Sequence, residues 1–109
     1  MAADVLLAIS TFPDAELARN VSRQLVEQKL AACANIGGNV QSIYHWQGKI
    51  EEGEETLVFF KTTAARFDEF QRVLRSLHPY EVPEIVAVRI ADGLPAYLQW
   101  VEDSCAAAP

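Results

Sequence analysis

The sequence is short of the features that let small chains fold without a core. It has two cysteines in 109 residues. These are Cys33 and Cys105, far apart and outside any CxxC pair, so no disulfide framework is expected. No stretch approaches the roughly 18 consecutive apolar residues of a membrane helix. The start, Met1–Ile9, has neither a basic stretch nor an A-x-A cleavage site, so no secretory leader is expected. Basic residues are scarce, at 9 Lys+Arg against 15 Asp+Glu, for a net charge of −6. That balance repels phosphate backbones and anionic lipid, which argues against nucleic-acid and membrane partners and favours cations. HExxH, Walker A, GxGxxG and a Ser/His/Asp set are all missing, so no catalytic residue is assigned and no enzyme is expected. A chain with free thiols and no leader is expected in the cytoplasm, where both thiols stay reduced.

What is present is a core. Half of the residues are hydrophobic, and a domain of this size hides about two-thirds of its unfolded surface. Residues 1–109 form one domain, with a frayed tail expected from 106 to 109.

Val5–Thr11 is a short apolar run with β-branched residues, read as a buried central strand. Ser10 and Thr11 offer a hydroxyl cap. Pro13, Asp14 and Glu16 then signal a helix start. Leu17, Val21 and Leu25, continued by Val26 and Leu30, give an apolar stripe and a helix to about Lys29. From Ala31 to Trp46 the residues Val40, Ser42, Tyr44 and Trp46 alternate, which means strand. Gly37–Gly38 suggests a bulge, Gln47–Gly48 a tight turn, and Lys49–Thr62 the returning strand with a further bulge at Gly53. Phe67, Phe70, Leu74 and Leu77 recur at helical spacing, so 64–77 is a second helix. His78–Pro83 is a loop. Ile85–Ile90 reads as a fourth strand, internal because it is mostly apolar, and Pro95 opens a short last helix. The fold class is therefore α+β, a ferredoxin-like βαββαβ sandwich with both long helices on one face of the sheet.

One feature strains a lone monomer. The hairpin arms are about 15 residues each, or roughly 50 Å at about 3.3 Å per residue. A domain of this size has a radius of gyration of only about 13 Å. The arm ends carry Tyr44, Trp46 and Ile50, which are costly to leave in water. Docking the hairpin on neighbouring copies in a closed cyclic oligomer would bury them. The alternative is that bulges at Gly37–Gly38 and Gly53 break each arm into two short strands.

Three separated segments then resemble the CutA family of divalent-cation tolerance proteins. They are Lys29–Asn35 (KLAACAN), Ser42–Ile50 (SIYHWQGKI) and Leu77–Ile85 (LHPYEVPEI). The similarity runs from Val5 to about Val101 and includes Tyr97–Trp100 (YLQW). The resemblance implies a ferredoxin-like domain assembled as a homotrimer through its hairpins, similar to the PII signalling proteins. It implies binding of divalent cations, copper first and zinc second, with no organic cofactor and no established reaction. The histidine of the family's HPY motif is His78. A preceding histidine and a cysteine at the end of the first strand accompany it in copper-binding members. Leu77 and Ser10 stand at those positions in this chain.

His78 is thus the candidate metal ligand, with Glu81 and Glu84 as auxiliary oxygen donors. The alternative is that His78 caps the helix before it, where positive charge is favourable. His45 alternates away from Tyr44 and Trp46 and faces solvent. Cys33 is read as a small hydrophobe, Cys105 as adventitious near the chain end. Glu51, Glu52, Glu54 and Glu55 read as a solvated face. Tyr44, Trp46, Lys61, Tyr80 and Glu84 are candidates to line a cleft between subunits, suited to a small polar ligand or to an interfacial ion pair. Three functions follow: a trimeric metal-tolerance protein, a PII-like small-molecule sensor, or a trimeric scaffold for another protein with metal binding incidental.

Overall fold

The computed structural model describes residues 4–106, so most of the expected frayed tail, from 107 on, lies outside the described residues. The elements run β1 (Val5–Phe12), α1 (Ala15–Glu27), β2 (Cys33–Trp46), β3 (Lys49–Thr63), α2 (Ala64–Leu77), β4 (Val86–Arg89) and α3 (Pro95–Cys105). The strands form one sheet of order β2-β3-β1-β4. Its neighbours are all antiparallel.

Alternation along the strands sorts side chains between two faces. Ala8 and Phe12 of β1 and Val58 and Phe60 of β3 meet Ala18, Val21 and Leu25 of α1 and Phe70 and Leu74 of α2 in the main core. Phe60 and Phe70 meet edge to face, with ring centroids 5.1 Å apart. Each such fully buried phenyl contributes about 1.5–3 kcal/mol of transfer free energy. A smaller cluster of Val5, Ala32, Val101 and Cys105 anchors α3.

The other face carries Leu7 and Ile9 opposite Val88 and Val86 of β4, and opposite Lys61 and Phe59 of β3. These apolar side chains are half-buried or exposed, Val86 and Val88 by 48% and 53%. The fourth strand is therefore an edge, not an internal strand. Its inner residue Ala87 packs on the core while Val86 and Val88 point to the uncovered face. Apolar residues along a strand suggest an internal position, yet Val86 and Val88, beside Ile9 and Leu7 of β1, stay about half open on the uncovered face.

Asp14, rather than Ser10 or Thr11, caps α1, accepting from Leu17 N–H at 2.8 Å. Ser10 and Thr11 still belong to β1 and are buried. The end of α1 comes at Glu27, two residues before the expected boundary. Lys29 takes φ 60°, and Lys29 and Leu30 N–H bond to Val26 and Leu25 carbonyls, both at 3.0 Å. This is a Schellman cap with lysine where glycine is usual.

The long hairpin is continuous. Its ladder runs from Cys33↔Lys61 to Trp46↔Lys49, with one shift of register between Ile36 and Asn39. The bulge favours Gly37, because a Cβ there would crowd Leu57 O at 3.2 Å. Gly53 pairs with Ser42 in register, so the second expected bulge is not formed. Gln47 and Gly48 both have positive φ, 49° and 79°, as a type I′ hairpin turn requires. The arms do not fold back, so the molecule is elongated, 46 × 26 × 23 Å, with a radius of gyration of 14.5 Å.

Candidate functional site

The site starts where α2 stops. His78 is the C-cap residue, its N–H reaching Arg75 O at 3.3 Å. Pro79 follows and cannot continue the helix. The imidazole does not cap α2. It turns to β1, stacks on Phe12 with centroids 4.7 Å apart, and donates from Nε2 to Thr11 O at 2.7 Å. Nδ1 accepts the Tyr80 N–H at 3.2 Å. These partners fix the neutral tautomer with the proton on Nε2. Burial, with 8% of the residue exposed, pushes its pKa down and outweighs the opposing pull of the Thr11 carbonyl and the Glu55 charge. A charged histidine capping the helix is therefore not what the fold builds.

Tyr80 ties this loop to the hairpin. Its phenol donates to Glu55 Oε2 at 2.8 Å. Burial and that carboxylate raise its pKa far above the ordinary tyrosine value. Between the loop and the hairpin lies a cleft of about 810 Å³, lined among others by Tyr44, Trp46, Glu55, Tyr80, Glu81 and Glu84. Four of the five expected cleft residues thus come together within a single chain. The fifth does not. Lys61 stands at the far end of β3, opposite Leu7 and Cys33, where its ammonium is hydrogen-bonded to Asn35 Oδ1.

Tyr44 and Trp46 remain 47% and 38% exposed. His45 is exposed, as its alternation predicts, and lies on the cleft rim. The acidic run is split by the strand period. Glu52 and Glu54 are exposed, while Glu51 and Glu55 are half-buried on the other face. Glu55 is the functional candidate that sequence reasoning did not single out. Only its strand phase, shared with Tyr44 across the hairpin, pointed to it.

The cysteines differ from expectation. Cys33 is half-buried with Sγ 3.7 Å from the Tyr97 hydroxyl. Cys105 is buried in the small core cluster, and burial raises its thiol pKa. It is a packing residue, not an adventitious one.

A preformed metal centre would need several donors converging on one point. Among the described residues no three His, Cys, Asp or Glu side chains do so. Ser10 is fully buried, its hydroxyl without a hydrogen-bond partner among the described residues. Leu77 packs against the core. Both ring nitrogens of His78 are engaged. Glu55, Glu81 and Glu84 line the cleft without converging on one point, and they form no ion pair among the described residues.

Comparison with known proteins gives a consistent result. The family model for the CutA1 divalent ion tolerance protein matches residues 6–104. The divalent-cation tolerance protein CutA of Thermus thermophilus is 44% identical over 98 residues, covering 90% of this chain and 95% of that protein. The CutA homolog of Xenopus laevis is 44% identical over 96 residues, covering 88% of this chain and 64% of the frog protein. A solved structure of the divalent cation tolerance protein from Thermus thermophilus superposes with a TM-score of 0.91 at 42% identity, covering 94% of this chain and 99% of that one.

Proposed function

The chain belongs to the CutA1 divalent ion tolerance family, and on that premise we propose that it acts as a homotrimer capturing divalent cations, copper first and zinc second, in metal-ion tolerance and response. The observation that carries this reading is the cleft of carboxylates without cationic partners at Glu55, Glu81 and Glu84. Hard oxygen donors with bound water hold a divalent ion without a closed cage. His78 joins such a site only by releasing Nδ1 from the Tyr80 amide, which costs one hydrogen bond, about 1 kcal/mol.

Support for the trimer comes from the uncovered sheet face and the straight hairpin. Exposed Ile43, Tyr44, Trp46 and Ile50 on the hairpin, with Val86 and Val88 on the edge strand, are the surfaces that oligomers bury. The two free thiols support a reducing compartment, and we place the protein in the cytoplasm. We assign it a binding role and no catalytic step.

Calorimetric titration with copper tests the metal reading on wild type, His78→Ala and the Glu81→Gln/Glu84→Gln pair. The double variant is expected to weaken binding. Isotherms identical across all three proteins would remove this loop from the site. Light scattering at micromolar concentration tests the assembly, with a mass of three chains expected and a folded 12.1 kDa species refuting it. The size of the cleft and its aromatic walls favour one second reading, a small-molecule sensor of the PII kind.

A further inference from the structure

We propose that the pocket at the start of α2 binds a small zwitterion, a free amino acid with its carboxylate at the helix end and its ammonium at Glu102. The pocket has a volume of about 500 Å³, within the usual range of a small-molecule site, roughly 300–1,000 Å³. Asp4, Thr63, Ala64, Arg66, Glu102 and Cys105 are among its lining. No lining residue belongs to the hairpin tip or to β4. The surfaces assigned above to the homotrimer and to metal capture are therefore different ones, and the proposal depends on neither.

One part of the lining attracts a carboxylate. Helix α2 has 14 residues, and its aligned peptide dipoles place positive potential at its start. The first helical N–H, of Ala64, donates to Asp4 O at 2.8 Å. A threonine before a helix ordinarily accepts from the N–H two or three positions on. Thr63 is buried, with 7% exposed, yet its hydroxyl makes no such bond. That hydroxyl and the N–H groups of Ala65 and Arg66 are thus left to a ligand. Arg66 adds a guanidinium that makes two long contacts, 3.4 Å each, to the carbonyls of Gln28 and Lys29. It has no carboxylate partner among the described residues.

Another part attracts a cation. Asp4 is already paired with Arg89 at 2.9 Å. Glu102 is exposed and forms no ion pair among the described residues. An inorganic anion suits the helix end but is repelled by Glu102, and an alkylammonium suits Glu102 but is repelled by Arg66. A molecule carrying both charges meets both groups. Ala64, Ala65 and Cys105 give its carbon body an apolar wall.

The test titrates the isotopically labelled full chain with glycine and with γ-aminobutyrate, which differ in the spacing of their charges, and reads the backbone amide resonances of Ala65 and Arg66. At least one of the two should move both amides saturably while the amide of Ile43, on the hairpin, stays in place. Acetate and methylammonium each carry one of the charges and should bind about threefold or more weakly, as should inorganic phosphate. Thr63→Val keeps the shape of the side chain and removes the hydroxyl, and Glu102→Gln removes the charge at the surface. Each should weaken binding about threefold or more, with unmoved hairpin resonances reporting that the fold is kept. No saturable shift from either amino acid overturns the proposal. So does acetate, methylammonium or phosphate binding as tightly as the better amino acid, or unchanged affinity in both variants. The competition among probes is read on the wild type, so it decides the matter even if Thr63→Val fails to fold.

Discussion

Lowering the pH should destabilise this protein through one residue, His78. The ring is held neutral by its surroundings. Nε2 donates to the Thr11 carbonyl, and Nδ1 is occupied as an acceptor by Tyr80 N–H. Protonation places a second N–H against that amide and charges a ring stacked on Phe12. Burial therefore depresses the folded-state pKa below the ordinary histidine value, despite the favourable carbonyl and the Glu55 charge. The unfolded chain binds the proton more readily, so it is favoured as pH falls. The stability is fully present above the unfolded pKa near 6.5 and is lost as pH drops through the folded value. One proton gives a slope of at most about 1.4 kcal/mol per pH unit. The reference is His78→Gln, whose amide can donate to Thr11 and accept from Tyr80 without titrating. Groups distant from residue 78 are common to both proteins and cancel in the difference. Urea unfolding at pH 7.5, 6.5 and 5.5, at one protein concentration, gives the difference directly. Wild type should lose up to about 1 kcal/mol more than the variant between pH 6.5 and 5.5. A difference independent of pH would refute the buried neutral ring.

Further outcomes follow from packing and backbone geometry. Lys29→Gly should hold or raise stability by up to about 1 kcal/mol, since glycine takes the positive φ without strain, whereas Lys29→Val should lower it by about 1 kcal/mol or more; urea midpoints decide. Ser10→Ala should be neutral or stabilising by urea unfolding, because it removes a buried hydroxyl that has no partner among the described residues and costs about 1–3 kcal/mol to bury; a clear loss would mean that the hydroxyl is satisfied. Phe70→Ala should cost about 3–5 kcal/mol, the penalty of a cavity in the main core, in the same assay. Cys105 should react with a thiol reagent much more slowly in native protein than in denaturant, because it is buried and its thiol pKa is raised; equal rates would place it at the surface.

Local signals were enough for the element order. Period two in Val40–Trp46, helical spacing in Phe67–Leu77 and the Gln47–Gly48 turn depend on nearby residues alone, and the structure repeats them. The same is true of His45 facing outward and of the length of the hairpin. Resemblance in three segments named the family. Features that depend on distant neighbours were not legible. Val86 and Val88 look like core residues because hydropathy cannot say which face of a strand is covered. Asp14 displaced Ser10 and Thr11 as the cap because antiparallel pairing with β3 extends β1 to Phe12. Cys105 became core because α3 returns to Val5 and Ala32.

The site divides in the same way. Sequence alone determined that one acidic α+β domain would carry an aromatic hairpin and a His78–Glu84 loop, since composition and periodicity are properties of the chain by itself. Only the tertiary structure decided that Glu55 joins Tyr80, that Lys61 lies away from the cleft, and that both nitrogens of His78 are already bonded. Those are meetings of groups distant along the chain, and strand register and loop path, not local spacing, bring them together.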